Sequence, residues 1–347
     1  MFRKHIDMLS IGDLTTDAFI RLKEASLHCN VRHQDCEICF PFGGKIPFEY
    51  VKVVRAVGNA ANAAVCAARL GLNSALVSNS GDDENGRECL NELLRNKVIT
   101  TFVKVHEHKP TNYHFVLWYE DDRTILVNHT EYDYRWPKVP APKWVYLTSL
   151  AAHTFPYHVA IADYLDQNPT VRLAFQPGTF QMTLGFNELK RIYARTDVVI
   201  VNFEEAEKLC GISAFRSGGE ASGNPGGLAS PDPKVLLKTI HSHGPKLVLI
   251  TDSTAGAYMY DGELFYHMPM YPDPRPAFER TGCGDAFAAT FIATLALGKA
   301  PLEALVWAPV NPMSVAQFVG SQEGLLTREQ IEWWLERAPA DYKPRQI

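Results

Sequence analysis

The chain has 347 residues, 46% of them apolar, and its 34 Lys and Arg against 39 Asp and Glu give a formal net charge of −5. This is ordinary globular composition, and the charge balance excludes a generally polybasic surface of the kind that binds nucleic acid or anionic lipid. No apolar run approaches the ~20 residues that span a bilayer, and the first residues lack the apolar core of a signal peptide, so we predict a cytoplasmic protein with no nucleic-acid or membrane partner.

The first predicted element is a short buried strand at residues 5–12, an apolar run closed by a glycine. Residues 17–27 alternate between apolar and polar, and residues 37–54 are rich in β-branched and aromatic side chains. We predict that these segments form strands of a small exposed sheet outside the main fold. The alternating residues 100–105 and 113–127 are predicted to rejoin that sheet.

The rest of the chain alternates helix and strand. Residues 58–70 are Ala-rich and predict a helix, and residues 85–96 predict another. Short apolar runs predict buried strands with helices between them; these runs are 73–78, 144–147, 172–175, 198–201 and 247–251. Residues 215–234, rich in Gly, Ser and Pro, predict a long surface loop.

These patterns predict a single α/β domain over residues 1–347. Its three layers would be a mainly parallel sheet between two layers of helices. Residues 14–56 and 100–130 would add a small β-sheet lid.

The segment with the clearest chemical meaning is a glycine loop that opens a helix at residues 279–297. Small residues let backbone N–H groups approach an anion, and the helix N-terminus adds positive potential. The amides of Gly282, Cys283 and Gly284 would then stabilise a transferring phosphoryl group. A carboxylate repels bound phosphate, so Asp285 makes sense as the base that takes a proton from the attacking hydroxyl. The alternative is an acidic residue that merely stabilises the helix N-terminus.

Residues 281–287, TGCGDAF, resemble the T-G-A-G-D-A-F signature of the ribokinase-like (PfkB) carbohydrate kinases. Four more segments resemble motifs of that family and occur in the family's order; they are residues 57–71, 81–86 (GDDENG), 202–205 (NFEE) and 251–256 (TDSTAG). The resemblance covers most of the chain. It implies a ribokinase-like fold, ATP as the phosphoryl donor, and Mg²⁺.

The chain departs from the family pattern at several motif positions. Val57 and Ser253 stand where glycine is usual, and Cys283 stands where alanine is common. Glu279 and Arg280 stand where Asp and Thr are usual. Because that Asp helps to organise a monovalent-cation site in many relatives, Glu279 leaves activation by K⁺ open, and Arg280 could either touch a phosphate or remain solvated.

The acceptor is expected at the carboxyl end of the first strand, where ligands of open α/β sheets bind. Asp17 matches the family residue that accepts hydrogen bonds from two sugar hydroxyls, and Asp13 is its rival four residues earlier. Gly58, Asn59 and Asn62 complete the predicted acceptor site, since side-chain amides both donate and accept. Turn capping by Asp and N-capping by Asn59 are the structural alternatives.

On the same resemblance, the predicted nucleotide-binding residues are Asn202, Glu205, Thr251, Ser253, Gly256, Thr281 and Asn311. Glu205 would act on Mg²⁺ through water, because Mg²⁺ prefers oxygen ligands and retains water. The spacing of Asn202 and Glu205 fits a helix capping box equally well.

A cluster of Cys and His residues between 28 and 39 raises the question of zinc. Cys29, His33, Cys36 and Cys39 could ligate the metal. In a predicted strand, however, Cys36 and Cys39 point to opposite faces, so scattered thiols are the alternative. With no predicted secretion signal, the seven Cys of the chain are expected to be reduced.

The sequence therefore predicts an ATP-dependent kinase for a hydroxymethyl group of a sugar or sugar-like alcohol, with Asp285 as general base. A nucleoside acceptor is the alternative within the family; it would stack on lid aromatics such as Phe40, Phe42, Phe48 and Tyr50. A non-catalytic nucleotide or metabolite sensor is the alternative outside the enzyme class. The resemblance also implies a homodimer formed through the lid.

Overall fold

The computed structural model describes residues 5–29, 36–120, 122–212 and 231–347. Most of the predicted loop at 215–234 lies outside these residues. The strands are β1 (Met8–Ile11), β2 (Thr15–Leu22), β3 (Ser26–His28), β4 (Glu37–Cys39), β5 (Phe48–Val57), β6 (Ser74–Gly81), β7 (Ile99–His106), β8 (Asn112–Tyr119), β9 (Asp122–Leu126), β10 (Trp144–Leu147), β11 (Arg172–Phe175), β12 (Val198–Asn202), β13 (Leu247–Thr251), β14 (Ala257–Tyr260), β15 (Phe265–Met268) and β16 (Arg345–Gln346).

The helices are α1 (Asn59–Arg69), α2 (Glu84–Arg95), α3 (Phe155–Gln167), α4 (Thr179–Glu188), α5 (Lys190–Arg195), α6 (Phe203–Cys210), α7 (Pro233–His241), α8 (Cys283–Ala296), α9 (Pro301–Trp307), α10 (Val310–Val315) and α11 (Arg328–Leu335). A short 3₁₀ turn, Ser253–Ala255, follows β13. None of these described helices combines the length and the apolar character needed to cross a membrane.

Ten of the described strands form one large sheet, in the order β16-β15-β14-β13-β12-β11-β10-β1-β6-β7. The strands from β13 to β7 in this order pair in parallel, and β14, β15 and β16 continue the sheet in antiparallel fashion. The predicted α/β class with a mainly parallel sheet is therefore confirmed.

Apolar side chains leave the large sheet on both faces and meet a layer of helices on each. On β1, Met8 joins the core that includes α1 and α8, whereas Leu9 and Ile11 join the core that includes α3 and α5. Helix α8 is buried from Ala286 to Ala296. A helix that is apolar on all sides is held by its whole surface, so its amino end is fixed in place.

A second sheet has the order β5-β2-β8-β9 and lies beside the main body. One of its faces contributes Phe19, Val116 and Trp118, which pack with Val319. The prediction that residues 100–105 belong to this sheet is wrong, because Ile99–His106 pairs in parallel with β6. This edge strand of the large sheet is only partly covered, and its alternating pattern therefore imitates that of an exposed sheet.

Strands β3 and β4 form a separate antiparallel pair that ends at His28 opposite Glu37. The next residues, Cys29 and Cys36, therefore face each other and form a disulfide with their Cα atoms 4.0 Å apart. The prediction of reduced thiols is wrong for this pair, and two of the four suggested zinc ligands are bonded to each other. His33 lies outside the described residues, and within those residues no group of three or more His, Cys, Asp or Glu is arranged to hold a metal.

Candidate active site

The glycine loop at the amino end of α8 sets the position of Asp285. Gly282 has a φ of 80°, in the left-handed region that favours glycine. A Cβ at this residue would lie 2.2 Å from Cβ of Ser321, so no side chain fits there. The chain enters α8 directly afterwards, and Asp285 falls in the first turn of the helix.

Two side-chain amides hold the Asp285 carboxylate. Nδ2 of Asn62 donates to Oδ2 over 2.8 Å, and Nε2 of Gln176 donates to Oδ1 over 3.2 Å. Burial raises the pKa of Asp285, and the two amide hydrogen bonds oppose that rise. The carboxylate is thus oriented by neutral groups.

The orientation of both amides is itself fixed from behind. Oδ1 of Asn62 accepts hydrogen bonds from Oγ of Ser321 at 2.8 Å and Nε2 of Gln322 at 2.9 Å. Oε1 of Gln176 accepts from the hydroxyl of Tyr146. Each amide therefore has its oxygen occupied and its NH₂ group directed at Asp285.

These contacts differ from the sequence expectation in two ways. Asn62 was expected to face the acceptor, and the structure gives its NH₂ group to Asp285 instead. Gln176 was not predicted at all. The one signal that could have found it is its place just after β11, at the carboxyl end of a parallel strand, where ligands and catalytic groups gather.

A cavity of about 380 Å³ opens beside the glycine loop. Six of the predicted site residues line it; they are Asn202, Thr251, Ser253, Gly256, Cys283 and Gly284. Its apolar lining includes Tyr271, Phe287 and Met313. Ser253 has a φ of 45°, which costs a residue with a side chain roughly 1–2 kcal/mol and accounts for the glycine usual at this position.

Some predicted residues lie away from this cavity. Asn311 is fully buried, and its side chain donates to Oγ1 of Thr290 over 2.8 Å and accepts from the Leu326 amide over 2.7 Å. Its neighbours Pro309 and Pro312 line the cavity instead. The amino end of α10 thus borders the cavity through its prolines, whereas the Asn311 side chain faces the core.

Asn202 and Glu205 form the capping box at the start of α6. Oε2 of Glu205 accepts from the Asn202 amide, and Oδ1 of Asn202 accepts from the Glu205 amide, both over 2.8 Å. Burial raises the pKa of Glu205. Asn202 is exposed and lines the cavity, so the same pair offers an amide and a carboxylate beside it.

Charged groups precede the glycine loop. Glu279 is buried, and its Oε1 accepts from the amide of Thr281 over 2.6 Å and from the Thr281 hydroxyl. Its Oε2 has no hydrogen-bond partner among the described residues. Arg280 lines the cavity and lies 3.7 Å from Asp273, and Arg123 reaches the same cavity from β9.

The predicted acceptor residues lie where β1 ends and α1 begins. Gly58 caps α1 with a φ of 102°, and a Cβ there would lie 2.6 Å from the Asp13 carbonyl oxygen. Asn59 is the first residue of α1. Asp17 lies on β2, and Asp13 is buried beneath the hydroxyl of Tyr134.

Comparison with known proteins identifies the family. The model of the pfkB family of carbohydrate kinases matches residues 52–323. The chain is 33% identical to the cytidine kinase of Thermococcus kodakarensis over 119 residues, which cover 34% of this chain and 36% of that protein. It is 24% identical over 235 residues to the fructosamine kinase FrlD of Bacillus subtilis, covering 68% and 74% of the two chains. It is 23% identical to the ATP-dependent 6-phosphofructokinase of Thermoanaerobacterium thermosaccharolyticum, covering 70% and 72%.

Solved structures show the same fold at low sequence identity. The nucleoside kinase of Methanocaldococcus jannaschii superimposes with a TM-score of 0.73 at 16% identity, over 95% of this chain and 98% of the other. The Arabidopsis thaliana ribokinase, solved with ribose and ATP, gives 0.73 at 18% identity, over 96% and 99%. A putative ribokinase II of E. coli, solved with ATP and Mg²⁺, gives 0.71 at 17% identity, over 96% and 99%.

Proposed function

The chain belongs to the pfkB family of carbohydrate kinases, which transfer phosphoryl groups to alcohols, and we propose that it transfers the γ-phosphoryl group of ATP to a hydroxymethyl group of a sugar or sugar-like alcohol. Asp285 is the general base. ATP would occupy the cavity of about 380 Å³ lined by Thr251, Ser253 and Gly256.

The setting of Asp285 is the observation that carries this proposal. Its carboxylate accepts from the neutral amides of Asn62 and Gln176, at the edge of a cavity that Gly284 lines. Burial raises its pKa, and a carboxylate with neutral partners keeps more of its basicity than one paired with a cation. These are the properties that proton abstraction from an alcohol requires.

In the proposed step, the acceptor hydroxyl gives its proton to Asp285 while its oxygen attacks the γ-phosphorus and ADP leaves. The amides of Gly282 and Gly284 stabilise charge on the transferring group. The Cys283 amide donates to the Arg280 carbonyl over 3.3 Å, so it contributes only when this loop bond opens. Mg²⁺, when bound, neutralises the ATP phosphates, and Asn202 and Glu205 would hold its water ligands.

The test is ADP release with Mg·ATP and a panel of sugars, sugar acids and nucleosides, for the wild type and for Asp285→Asn. We expect acceptor-dependent ADP in the wild type and a loss of about 10²-fold or more in kcat in the variant. ATP binding, measured by calorimetry, should be kept. Equal turnover by the two proteins would remove Asp285 from its role.

A nucleoside acceptor is the second candidate, and the identity to a cytidine kinase favours it. Phe42 and Phe48 on the lid side are exposed and could stack on a base. Higher kcat/KM for cytidine than for every free sugar in the panel would support this candidate. ATP binding without ADP release from any acceptor would instead favour the sensor function.

Activation by a monovalent cation is a further part of the proposal. The buried Oε2 of Glu279 has no hydrogen-bond partner among the described residues, and it is an oxygen of the kind that a cation would satisfy. Turnover in K⁺ should exceed turnover in an equal concentration of tetramethylammonium, and Glu279→Gln should abolish the difference.

We also propose that the second sheet acts as a lid and as the interface of a homodimer. Val53, Phe115 and Leu126 lie in one cross-strand row of its outer face and are exposed by 37%, 44% and 51%. Covering this face would remove apolar surface from water. The proposed use of ATP supports the predicted cytoplasmic location. Thiol labelling of Cys29 and Cys36 in freshly lysed cells would test this location, since labelled, reduced thiols fit the cytoplasm and the disulfide fits an oxidising compartment.

A further inference from the structure

Four side chains from four segments meet where the second sheet joins the main body. Asp13 follows β1, Asp17 lies on β2, His114 lies on β8 and His129 follows β9. Asp17 and His114 are opposite each other in the parallel register of β2 and β8, and Oδ1 of Asp17 lies 3.3 Å from Nδ1 of His114. Nδ1 of His129 lies 3.7 Å from Oδ2 of Asp13, and the two imidazole rings are 5.1 Å apart. We call these four residues the junction cluster.

Within the part of the chain that the structure describes, each member of the junction cluster has a buried polar atom that makes no hydrogen bond. Among the described residues, none of Oδ2 of Asp13, Oδ1 of Asp17, Nε2 of His114 and Nδ1 of His129 makes a hydrogen bond, although the Asp17–His114 and Asp13–His129 pairs face each other at 3.3 and 3.7 Å. The Asp13 side chain is only 9% exposed. Buried polar groups in folded proteins are nearly always hydrogen-bonded, so four orphaned atoms at one place point to a ligand that satisfies them.

The surroundings hold the cluster in this arrangement. The Tyr134 hydroxyl donates to Oδ1 of Asp13, which directs Oδ2 elsewhere. Oδ1 of Asn112 accepts from the Thr130 amide over 2.8 Å, and its Nδ2 donates to the Leu14 carbonyl over 3.1 Å. Asn112 thus ties the segment that carries His129 to the end of β1, and the site is formed before a ligand arrives.

The first turn of α1 links the cluster to the catalytic group. The backbone of Gly58, at the start of α1, passes so close to Asp13 that an added Cβ would lie 2.6 Å from the Asp13 carbonyl oxygen. Asn62 is about one turn further along the same helix and donates to Asp285 over 2.8 Å. A ligand that fills the cluster therefore extends toward the general base.

The charge of the cluster restricts the ligand. In the described ranges, the side chains found against the carboxylates of Asp13 and Asp17 are imidazoles and a phenol, with no lysine or arginine paired to either. Burial lowers the pKa of His129, which favours its neutral imidazole. Burial raises the pKa of Asp13 to about 6, so this site already holds its own negative charge with difficulty. Another anion would be repelled, whereas hydroxyl and amine hydrogens would find carboxylate oxygens and imidazole nitrogens that lack a donor.

We propose that His114 and His129, together with Asp13 and Asp17, recognise the phosphoryl acceptor, and that this acceptor is a polyhydroxylated compound without negative charge. The two histidines would determine this specificity. The inference rests on the proposed kinase function and narrows it: sugar phosphates and sugar acids are excluded. The recognised chemistry is a vicinal diol, which both free sugars and nucleosides carry.

The first experiment compares kcat/KM for ADP release with acceptors of both charge classes. The uncharged or amine-bearing set is D-ribose, D-fructose, fructosamine and cytidine, and the anionic set is fructose 6-phosphate and 2-keto-3-deoxygluconate. We expect the best member of the first set to exceed both anions by 10²-fold or more. Ribose against cytidine separates a free sugar from a nucleoside. A preference for either anion would overturn the inference and leave the kinase function standing.

The second experiment tests whether His114 and His129 recognise the acceptor. His114→Phe and His129→Phe keep a ring and remove its nitrogens, and each should lower kcat/KM for the best acceptor by 10- to 10²-fold. ATP affinity should change less than twofold, which also serves as the test of folding. His243→Phe, an exposed ring stacked on Phe186 far along the chain, is the matched control and should change neither quantity.

His129→Lys gives the reverse test. A cation in the cluster should lower the ratio of kcat/KM for uncharged acceptors to kcat/KM for anionic acceptors by at least tenfold. Unchanged acceptor kinetics in both Phe variants would overturn the inference. If no acceptor gives ADP, the proposed function fails. Acceptor binding measured by calorimetry then tests the inference separately. Binding of uncharged acceptors by the wild type, lost in the double Phe variant, would support it, and no binding of any acceptor would refute it.

Discussion

Asp13 is a buried carboxylate and Asp285 is a partly buried one, and the two have different hydrogen-bond partners. Asp285 accepts from two side-chain amides, whereas Asp13 accepts from a phenol and lies near His129. Burial raises the pKa of each. A raised pKa makes a carboxylate a better base and also makes its ionised form costly to the folded state.

Gln176 is predicted to be a positioning residue whose removal shifts the pH profile. Its amide favours the charged form of Asp285 over a distance of 3.2 Å. In Gln176→Met this stabilisation is lost, the pKa of Asp285 rises, and the acidic limb of the profile of kcat against pH should move to higher pH. We expect kcat at neutral pH to fall about tenfold, in keeping with one lost hydrogen bond to a charged group. A lower kcat with an unmoved acidic limb would contradict this role.

The ionised Asp13 carboxylate, which we propose binds the acceptor, is predicted to lower the stability of the folded state. Its pKa rises from 3.8 to about 6 on folding, so the folded state binds the proton more tightly than the unfolded state. Stability from this group is complete below pH 4 and is lost as pH rises through 6. Asp13→Asn should therefore be as stable as the wild type near pH 4 and more stable above pH 7, by up to about 3 kcal/mol.

Urea unfolding of Asp13→Asn and wild type at pH 4, 5.5 and 7.5 would measure that difference. Asn keeps an oxygen that accepts from Tyr134, so the comparison isolates the charge. A stability difference that does not change with pH would show that ionisation of Asp13 is not the cause.

At the scale of elements, the second sheet contributes residues both to the cavity proposed for ATP and to the cluster proposed for the acceptor. Arg123 on β9 lies opposite Trp118 on β8 and lines the cavity. The Trp118 ring packs edge-on against Phe278 at 5.2 Å, two residues before Arg280. The hairpin of β8 and β9 and the loop before α8 therefore bring two guanidinium groups to one cavity, beside the amino end of a helix.

We predict that Arg123→Gln weakens binding of ATP by about tenfold or more, the effect of losing one charge-assisted hydrogen bond to phosphate. Binding of AMP should change little, because its single phosphate stays near the adenosine. Calorimetry with ATP, ADP and AMP would measure the pattern. Arg95→Gln is the control, since Arg95 pairs with Glu92 on the surface of α2. An equal loss for ATP and AMP would mean that Arg123 acts on structure and not on the terminal phosphates.

At the scale of the whole molecule, the outer face of the second sheet should decide the oligomeric state. We predict a dimer in sedimentation velocity for the wild type and a monomer for Phe115→Glu, because a charge in the middle of an apolar interface must be desolvated. Leu94→Glu is the control, since Leu94 on α2 is 57% exposed and lies outside that row. A monomeric wild type, or a Phe115→Glu variant that stays dimeric, would refute the interface.

The sequence determined the α/β class, the positions of most strands and the position of the glycine loop before α8. These are local properties: an apolar run is a buried strand wherever it pairs, and a glycine loop before an apolar helix is readable within a dozen residues. The capping box of Asn202 and Glu205 was visible for the same reason, because its partners are three residues apart.

The tertiary structure alone decided which distant groups meet. Gln176 and Asp285 are 109 residues apart, and nothing near either residue announces their hydrogen bond. The sequence likewise does not show that His114 and His129 lie together or that Arg123 reaches the cavity. Ile99–His106 is a further case, because its alternation is typical of an exposed sheet but it pairs within the large sheet. Local patterns set propensity and burial, whereas strand order and register set contacts, and register is fixed only when the whole core packs.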